Sequence, residues 1–388
     1  MGDLVKYIYI CNAVSEEMCN YQWSGVAGNK FSLNMAKALD TCCGGDLIFV
    51  SVAGVKQEVY DKFGGEIWEG KKLHLARRGR RFVLGDFKQQ KNILAILKHV
   101  CSEYPNEKIT VIIENSPFSV ATACAIAKKK WGISCYSITI DTPFTQAFKT
   151  TGFHGRINKW MFMQGRRALK SFDGLVSFTP DVMKELNINI PFCRLAIGYD
   201  AEKEPQCVTN ITTEKSSVFA GTLIYYNGIR ELLGAFALLG EDYKLHIYGY
   251  GPMVDEVKAE AQKHSNIVFH GRFDPSQTDE ILSRYQLLIN SRLIDPSIEN
   301  FTFPSKLIDY ILTGKSVLSS NFKTLPEEYK DFVYVLEGVQ EQTIADAVRR
   351  IFDEDIESRK QRGQFGIRYI KENQTYEKIA KKIFGFVN

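Results

Sequence analysis

Nowhere in its 388 residues does the chain carry an apolar run near the ~18 residues of a membrane-spanning helix, so no transmembrane segment is expected. The first stretch, MGDLVKYIYICNAVS, is too short in its apolar part and too polar for a secretory signal. Nine cysteines occur, an odd number, without a Cys-x-x-Cys pair or a zinc spacing. They read as reduced thiols of a cytosolic protein, most of them small core residues. Gly-x-Gly-x-x-Gly is missing, so a dinucleotide loop of the usual kind is not supported. No repeat of solenoid period and no low-complexity segment is apparent. Basic residues are plentiful, but no nucleic-acid-binding motif accompanies them, and nucleic acid is not an expected partner.

What is present is an ordinary globular composition, 45% apolar and 24% charged, with a formal net charge of +4. The length exceeds one ordinary core and predicts two domains. The chain alternates short apolar runs with helical spacings, the pattern of doubly wound α/β domains. Strands are expected at Tyr7–Cys11, Asp46–Val52, Ile109–Ile113, Cys135–Ile140 and Leu175–Thr179. The loop after the first of these carries Gly25 and Gly28 before a helix from Phe31. Asp141 stands at the carboxyl end of a strand, where crevices of parallel sheets lie. It fits an acceptor-orienting or acid/base group, or a cap of the next turn. Pro191–Gln206 reads as a linker.

Two stretches of the first half are basic without intervening acids. Lys71, Lys72, Arg77, Arg78, Arg80 and Arg81 fall within eleven positions, and Lys88, Lys91 and Lys98 follow on a helix. Arg156, Lys159, Arg166, Arg167 and Lys170 surround Trp160 on a helix expected over Gly155–Ser171. Each is either a solvated surface or a site of adsorption to anionic lipid. An anionic membrane surface is therefore a candidate partner, on a cytoplasmic protein held peripherally at the inner face of the cell membrane.

In the second half, strands are expected at Val218–Leu223, Leu245–Gly249, Ile267–Gly271 and Val333–Leu336, with helices over Gln342–Phe352 and Ile367–Phe386. Gly249-Tyr250-Gly251 reads as a loop that lets a ligand approach the backbone. The most informative stretch is NSRLIDPSIENFTFPSKLIDYILTGKSVLSS, residues 290–320. It predicts a strand end, a polar loop, a helix begun at Pro304 with Ser305 or Thr302 as cap, a closing Gly314 and a further strand. A helix start at a strand's carboxyl end favours anions. Lys306 adds a mobile positive charge, and Asp309 lies at i+3 on the same face.

FTFPSKLIDYILTGKSVLSS resembles the signature segment of family 4 GT-B glycosyltransferases, in the capsular and exopolysaccharide branch with Phe-Pro-Ser-Lys-x-x-Glu-Tyr. The resemblance covers the second half well and the first loosely. It implies two Rossmann-like α/β domains facing a cleft: residues 1–195 for the acceptor, 196–365 for the nucleotide sugar, and a 366–388 helix crossing back. Asp309 falls on the family's ribose-binding glutamate. The other family glutamate falls on Phe301, with Glu299 two residues away as its substitute. ITIDTP around Asp141 is similar to a segment lining the cleft, and Gly25 and Gly28 to a glycine loop facing donor and acceptor. Gly221, Thr222 and Asn227 match the diphosphate element, where Thr222 and Asn227 replace the family's Arg and Lys. The phosphates would then rest on N–H groups, hydroxyls, Ser305, Lys306 and Arg292. Gly249 and Gly251 continue the donor site, and Arg272 and Phe273 border the base.

The implied activity is retaining transfer from a UDP- or GDP-linked sugar to a lipid-linked saccharide in cell-surface polysaccharide synthesis. Asp141, Glu299 and Lys306 are the catalytic candidates. The scheme needs no cofactor and no metal, and no Asp-x-Asp placed to hold one is seen. A non-catalytic GT-B-like subunit bound to a partner transferase, or a sugar-nucleotide epimerase, are the alternatives. Oligomeric state is left open.

Overall fold

The computed structural model describes residues 4–22, 26–68, 70–79, 82–115, 117–140, 151–201, 214–294 and 302–388. Asp141, Glu299, Phe301 and Gly25 lie outside them. The chain forms two compact units. Residues up to Gly198 and Tyr376–Asn388 make the first; the second is built from the chain between Tyr199 and Thr375.

The first unit holds strands β1 (Val5–Cys11), β2 (Ile48–Ser51), β3 (Glu66–Trp68), β4 (Lys71–Leu75), β5 (Lys108–Glu114), β6 (Ser134–Ile138), β7 (Gly174–Ser177) and β8 (Phe192–Arg194). They lie in the order β3-β4-β2-β1-β5-β6-β7-β8. Among these described strands only β3 runs antiparallel to its neighbour. Successive residues of β1 and β5, such as Ile8, Tyr9 and Ile10 or Val111, Ile112 and Ile113, are all buried. Helices cover both faces of such a sheet, so its strands read as apolar runs rather than alternations. The order reverses between β1 and β5, which makes their carboxyl ends the unit's topological switch point.

Three expectations for this unit need correction. The basic run after residue 70 is not a solvated loop at its start: Lys71–Leu75 is β4, and Lys71 bonds Asp40 at 2.8 Å. Part of the expected linker is β8, paired with β7. The second helix spans Val26–Cys42 and takes in Gly28, so Gly28 is no turn. Buried Asn29 explains the early start, exchanging hydrogen bonds with the backbone of Val14 at 2.9 and 3.0 Å.

The second unit is a six-stranded parallel sheet of β9 (Lys215–Ala220), β10 (Tyr243–Tyr248), β11 (Ile267–Gly271), β12 (Leu287–Asn290), β13 (Ser316–Ser320) and β14 (Tyr334–Leu336). Its order, β11-β10-β9-β12-β13-β14, is the Rossmann order, with the switch point between β9 and β12. Helices Ile229–Leu239 and Glu341–Asp353 share one core through Leu232, Phe236, Ile344, Val348 and Ile351. Helix Lys306–Leu312 packs with helix Ile356–Asn373, where Gly363 comes so close that a Cβ would sit 2.0 Å from the Gly314 carbonyl oxygen.

The single helix expected over Ile367–Phe386 is two helices, Ile356–Asn373 and Tyr376–Val387. Buried Gln374 breaks it: its side chain accepts the Tyr329 hydroxyl at 2.5 Å and its carbonyl accepts the Tyr199 N–H at 2.7 Å. The last helix then packs within the first unit against Val26–Cys42, with the rings of Phe384 and Tyr7 4.6 Å apart. None of the described helices is long and apolar enough to cross a membrane.

Candidate functional site

In the second unit, the carboxyl ends of β9, β10 and β12 converge with the start of helix Lys306–Leu312. Tyr310 fixes that helix to the sheet. Its hydroxyl accepts from the Ala220 N–H at 3.0 Å and donates to the Ala220 carbonyl at 3.1 Å. Burial raises the Tyr310 pKa, so the hydroxyl stays protonated. Lys306 is four residues earlier, on the same helix face. Its ammonium is therefore brought over the end of β9, 4.0 Å from the Phe219 ring centroid. A Cβ on Gly221 would stand 3.7 Å from it.

Lys306 as a whole is only half-buried, yet its ammonium is shut from solvent and meets no hydrogen-bond partner among the described residues. Burial, followed by the charge of Arg292, lowers its pKa to about 7. The expected mobile surface charge is thus a buried, poised amine. A polar group held this way is costly unless something anionic comes to it.

The helix start does less than its sequence suggested. Ser305 is helical in conformation and makes no capping bond. The Leu307 and Ile308 N–H groups already bond the carbonyls of Pro304 and Ser305. The site's positive character rests on Lys306 and half-buried Arg292 more than on a helix dipole. Asp309 lies one turn on, half-buried.

The glycines serve the backbone itself. A Cβ on Gly249 (φ +153°) would fall 1.9 Å from the Gly221 carbonyl oxygen. One on Gly251 would fall 2.3 Å from that of Leu223. The loops after β9 and β10 are nested, with the Gly221 and Leu223 N–H groups bonded to Tyr248 and Tyr250 carbonyls. This close approach is between strands, where the sequence suggested a ligand. Asn227 is likewise engaged, donating from its side chain to the Thr222 carbonyl at 2.6 Å. Ser291 donates to the Asn227 carbonyl at 3.0 Å, closing the loop onto the end of β12.

Arg272 is exposed, with its guanidinium 4.9 Å above the Tyr250 ring. Phe273 meets Tyr248 edge-on at 5.9 Å. Tyr225 and Tyr250 are more than half exposed beside these loops, and sequence reading passed over both. In the chain's one Asp-x-Asp, Asp353-Glu354-Asp355, Asp355 caps helix Ile356–Asn373 through the Ser358 N–H, and Glu354 accepts the Tyr334 hydroxyl.

In the first unit, a cavity of about 650 Å³ is lined by Asn12, Glu114, Asn115, Phe118, Asn158 and Arg166, among others. Glu114 is buried at its wall, accepting Tyr9 at 2.6 Å and Ser32 at 2.8 Å. No spacing in the sequence marked this residue.

Residues 200–369 match the family model described as "Glycosyl transferases group 1". A comparison with curated protein sequences finds no match. Among solved structures, HepE from Anabaena in complex with UDP superposes with a TM-score of 0.69 at 10% identity, covering 98% of this chain and 98% of that one. A glycosyltransferase from Rickettsia africae gives 0.69 at 11% identity over 100% and 98%. Sucrose-phosphate synthase from Thermosynechococcus elongatus gives 0.66 at 12% identity over 98% and 98%. At these identities the likeness establishes the fold, two Rossmann-like α/β units as in GT-B glycosyltransferases.

Proposed function

We propose that this protein is a glycosyltransferase that moves a sugar from a nucleoside-diphosphate sugar to a hydroxyl of a saccharide acceptor. The family match over residues 200–369 supports this reading. So do the ligands of similar structures, which for HepE are UDP and UDP-glucose. The observation that carries it is the Lys306 ammonium, buried at the switch point of the second unit without a hydrogen-bond partner among the described residues. An anion docking there gains a charge-assisted hydrogen bond and removes the cost of an unpaired buried amine.

In this reading the diphosphate lies against Gly221, Thr222 and Lys306, with Arg292 beside it. As the glycosyl bond breaks, negative charge grows on the leaving diphosphate. A protonated Lys306, already in place, stabilises that charge without reorganising. Asp309 accepts the ribose hydroxyls, and Tyr250, Arg272 and Phe273 border a uracil or guanine base. The finer assignments are retention at the anomeric carbon, independence of a metal, a lipid-linked acceptor and a role in surface polysaccharide. Asp141 and Glu299 remain the proposed groups around the acceptor hydroxyl and the sugar.

The test is incubation with a panel of UDP- and GDP-sugars, following nucleoside diphosphate release, beside calorimetry with UDP and GDP. Release that Lys306→Ala abolishes supports transfer. Tight diphosphate binding with no release from any donor, with or without saccharide acceptors, would replace it by the accessory-subunit reading. No binding of either nucleotide overturns the transferase reading and leaves a subunit that serves only by binding a partner transferase.

A further inference from the structure

The second unit has another concavity, separate from the donor site. A cavity of about 490 Å³ lies at the edge of the sheet, along β14, and none of its lining residues belongs to the donor loops. Asn321, just after β13, and Tyr334, Val335 and Glu337, along and just after β14, form one wall. Three cations reach it from three other elements. Lys330 comes from the single turn Glu327–Asp331, Arg350 from helix Glu341–Asp353 and Arg362 from helix Ile356–Asn373.

Arg362 is held in place. Its Nη1 donates to the Asp331 carbonyl at 3.1 Å, and its guanidinium lies 4.5 Å above the Tyr334 ring. Arg350 is exposed and makes no ion pair or side-chain hydrogen bond among the described residues. Neither arginine therefore meets a carboxylate among those residues. Lys330 is less available, paired with Glu327 at 2.8 Å. Arg359, one turn before Arg362, is buried and adds its charge to the same region. Burial, then Glu354, raise the Tyr334 pKa to about 12, while Arg362 and Arg359 act against them. The Tyr334 hydroxyl thus stays a donor to Glu354, a second carboxylate of the cavity wall beside exposed Glu337.

Unpaired guanidiniums suit an oxyanion, which their planar forks bind two oxygens at a time. A terminal phosphate has three oxygens to divide between arginines that arrive on two different helices, where a carboxylate has two. The acids of the wall limit the rest of the ligand. Glu337 and Glu354 repel a second anionic group and accept hydrogen bonds from hydroxyls. Tyr334 and Val335 offer an aromatic and an aliphatic surface to the C–H face of a sugar ring.

We propose that this cavity binds a phosphorylated monosaccharide, with its phosphate on Arg350 and Arg362 and its hydroxyls on Glu337, Glu354 and Asn321. A nucleoside diphosphate suits it less, because its two charged phosphates would lie close to both acids. The site stands independently of the glycosyl-transfer reading.

The experiment is titration calorimetry with glucose 1-phosphate, glucose 6-phosphate, mannose 6-phosphate, inorganic phosphate and glucose. Wild-type protein and Lys306→Ala are compared, since the variant lacks the amine that could hold a phosphate in the donor site. At least one hexose phosphate is expected to bind both proteins with the same affinity, more tightly than inorganic phosphate, and glucose is expected not to bind. Arg350→Gln and Arg362→Gln should each lower that affinity about tenfold or more. Arg350→Gln should leave the thermal transition and UDP affinity unchanged, because its side chain is exposed. Hexose phosphate binding that Lys306→Ala abolishes and Arg350→Gln leaves intact belongs to the donor site and overturns the proposal. So does the absence of binding by all three hexose phosphates. Equal affinity for inorganic phosphate and the hexose phosphates overturns the saccharide assignment.

Discussion

The ammonium of Lys306 lies 4.0 Å above the ring of Phe219, with burial and Arg292 holding its pKa near 7. An aromatic face is a partial counter-charge, worth about 2 kcal/mol when desolvated, and it falls short of a carboxylate. Among the described residues no hydrogen-bond partner satisfies the amine. The behaviour expected of the donor site turns largely on that pair.

Removing the amine should weaken the diphosphate more than any other single change. Lys306→Ala is expected to lose about 1.5–3 kcal/mol of UDP or GDP affinity, measured by titration calorimetry. An unchanged dissociation constant would remove Lys306 from the site.

The lowered pKa fixes a pH dependence of stability. Between about pH 7 and the ordinary lysine value of 10.5, the unfolded chain holds a proton on Lys306 that the folded chain releases. Stability therefore rises with pH across that window and is lowest below it, where both states are protonated. Lys306→Met should raise the melting temperature without ligand, most at pH 7 and below, and flatten the rise. Diphosphate binding should take up a proton above pH 7, visible as a buffer-dependent binding heat.

On β10, His246 gives an acid-side dependence. Burial first, then the charges of His270 and Lys244, lower its pKa to about 4. Between the ordinary histidine value of 6.5 and about 4 the unfolded chain binds the extra proton, so stability falls as pH falls through that range. His246→Phe should reduce the fall, read from urea titrations at about pH 6.5 and about pH 4.5. An identical fall in both proteins would assign it elsewhere.

Gly249 tests the nesting of the donor loops. With φ at +153° and a Cβ placed 1.9 Å from the Gly221 oxygen, Gly249→Ala strains the backbone and forces the loops apart. It should cost about 3 kcal/mol or more in denaturant unfolding, and weaken nucleotide binding in the fraction that folds. A stable variant with normal binding would show that the two loops are not one unit.

Asp309→Asn separates a ligand role from a structural one. It should fold normally and lose affinity for the ribonucleoside diphosphate. A variant that unfolds, with unaltered affinity in its folded fraction, would make Asp309 structural.

The sequence alone determined what is local or periodic. Apolar runs at Ile109–Ile113 and Leu287–Ile289 were readable as buried parallel strands because both their faces are covered, and β5 and β12 are there. The glycine after Leu312 was readable as a helix end, and Gly314 takes the left-handed conformation, φ +68°, that such an end requires. Lys306 and Asp309 were readable as one helix face from their spacing. Only the tertiary structure decided what depends on residues distant in the chain. That Lys306 is shut from water depends on Tyr310 bonding Ala220, 90 positions away in the chain. That Lys71 is spent on Asp40, and that Gln374 breaks a helix because Tyr329 and Tyr199 hold it, are likewise pairings no spacing encodes. Burial and electrostatic environment are sums over neighbours in space, and a linear pattern fixes only the neighbours along the chain.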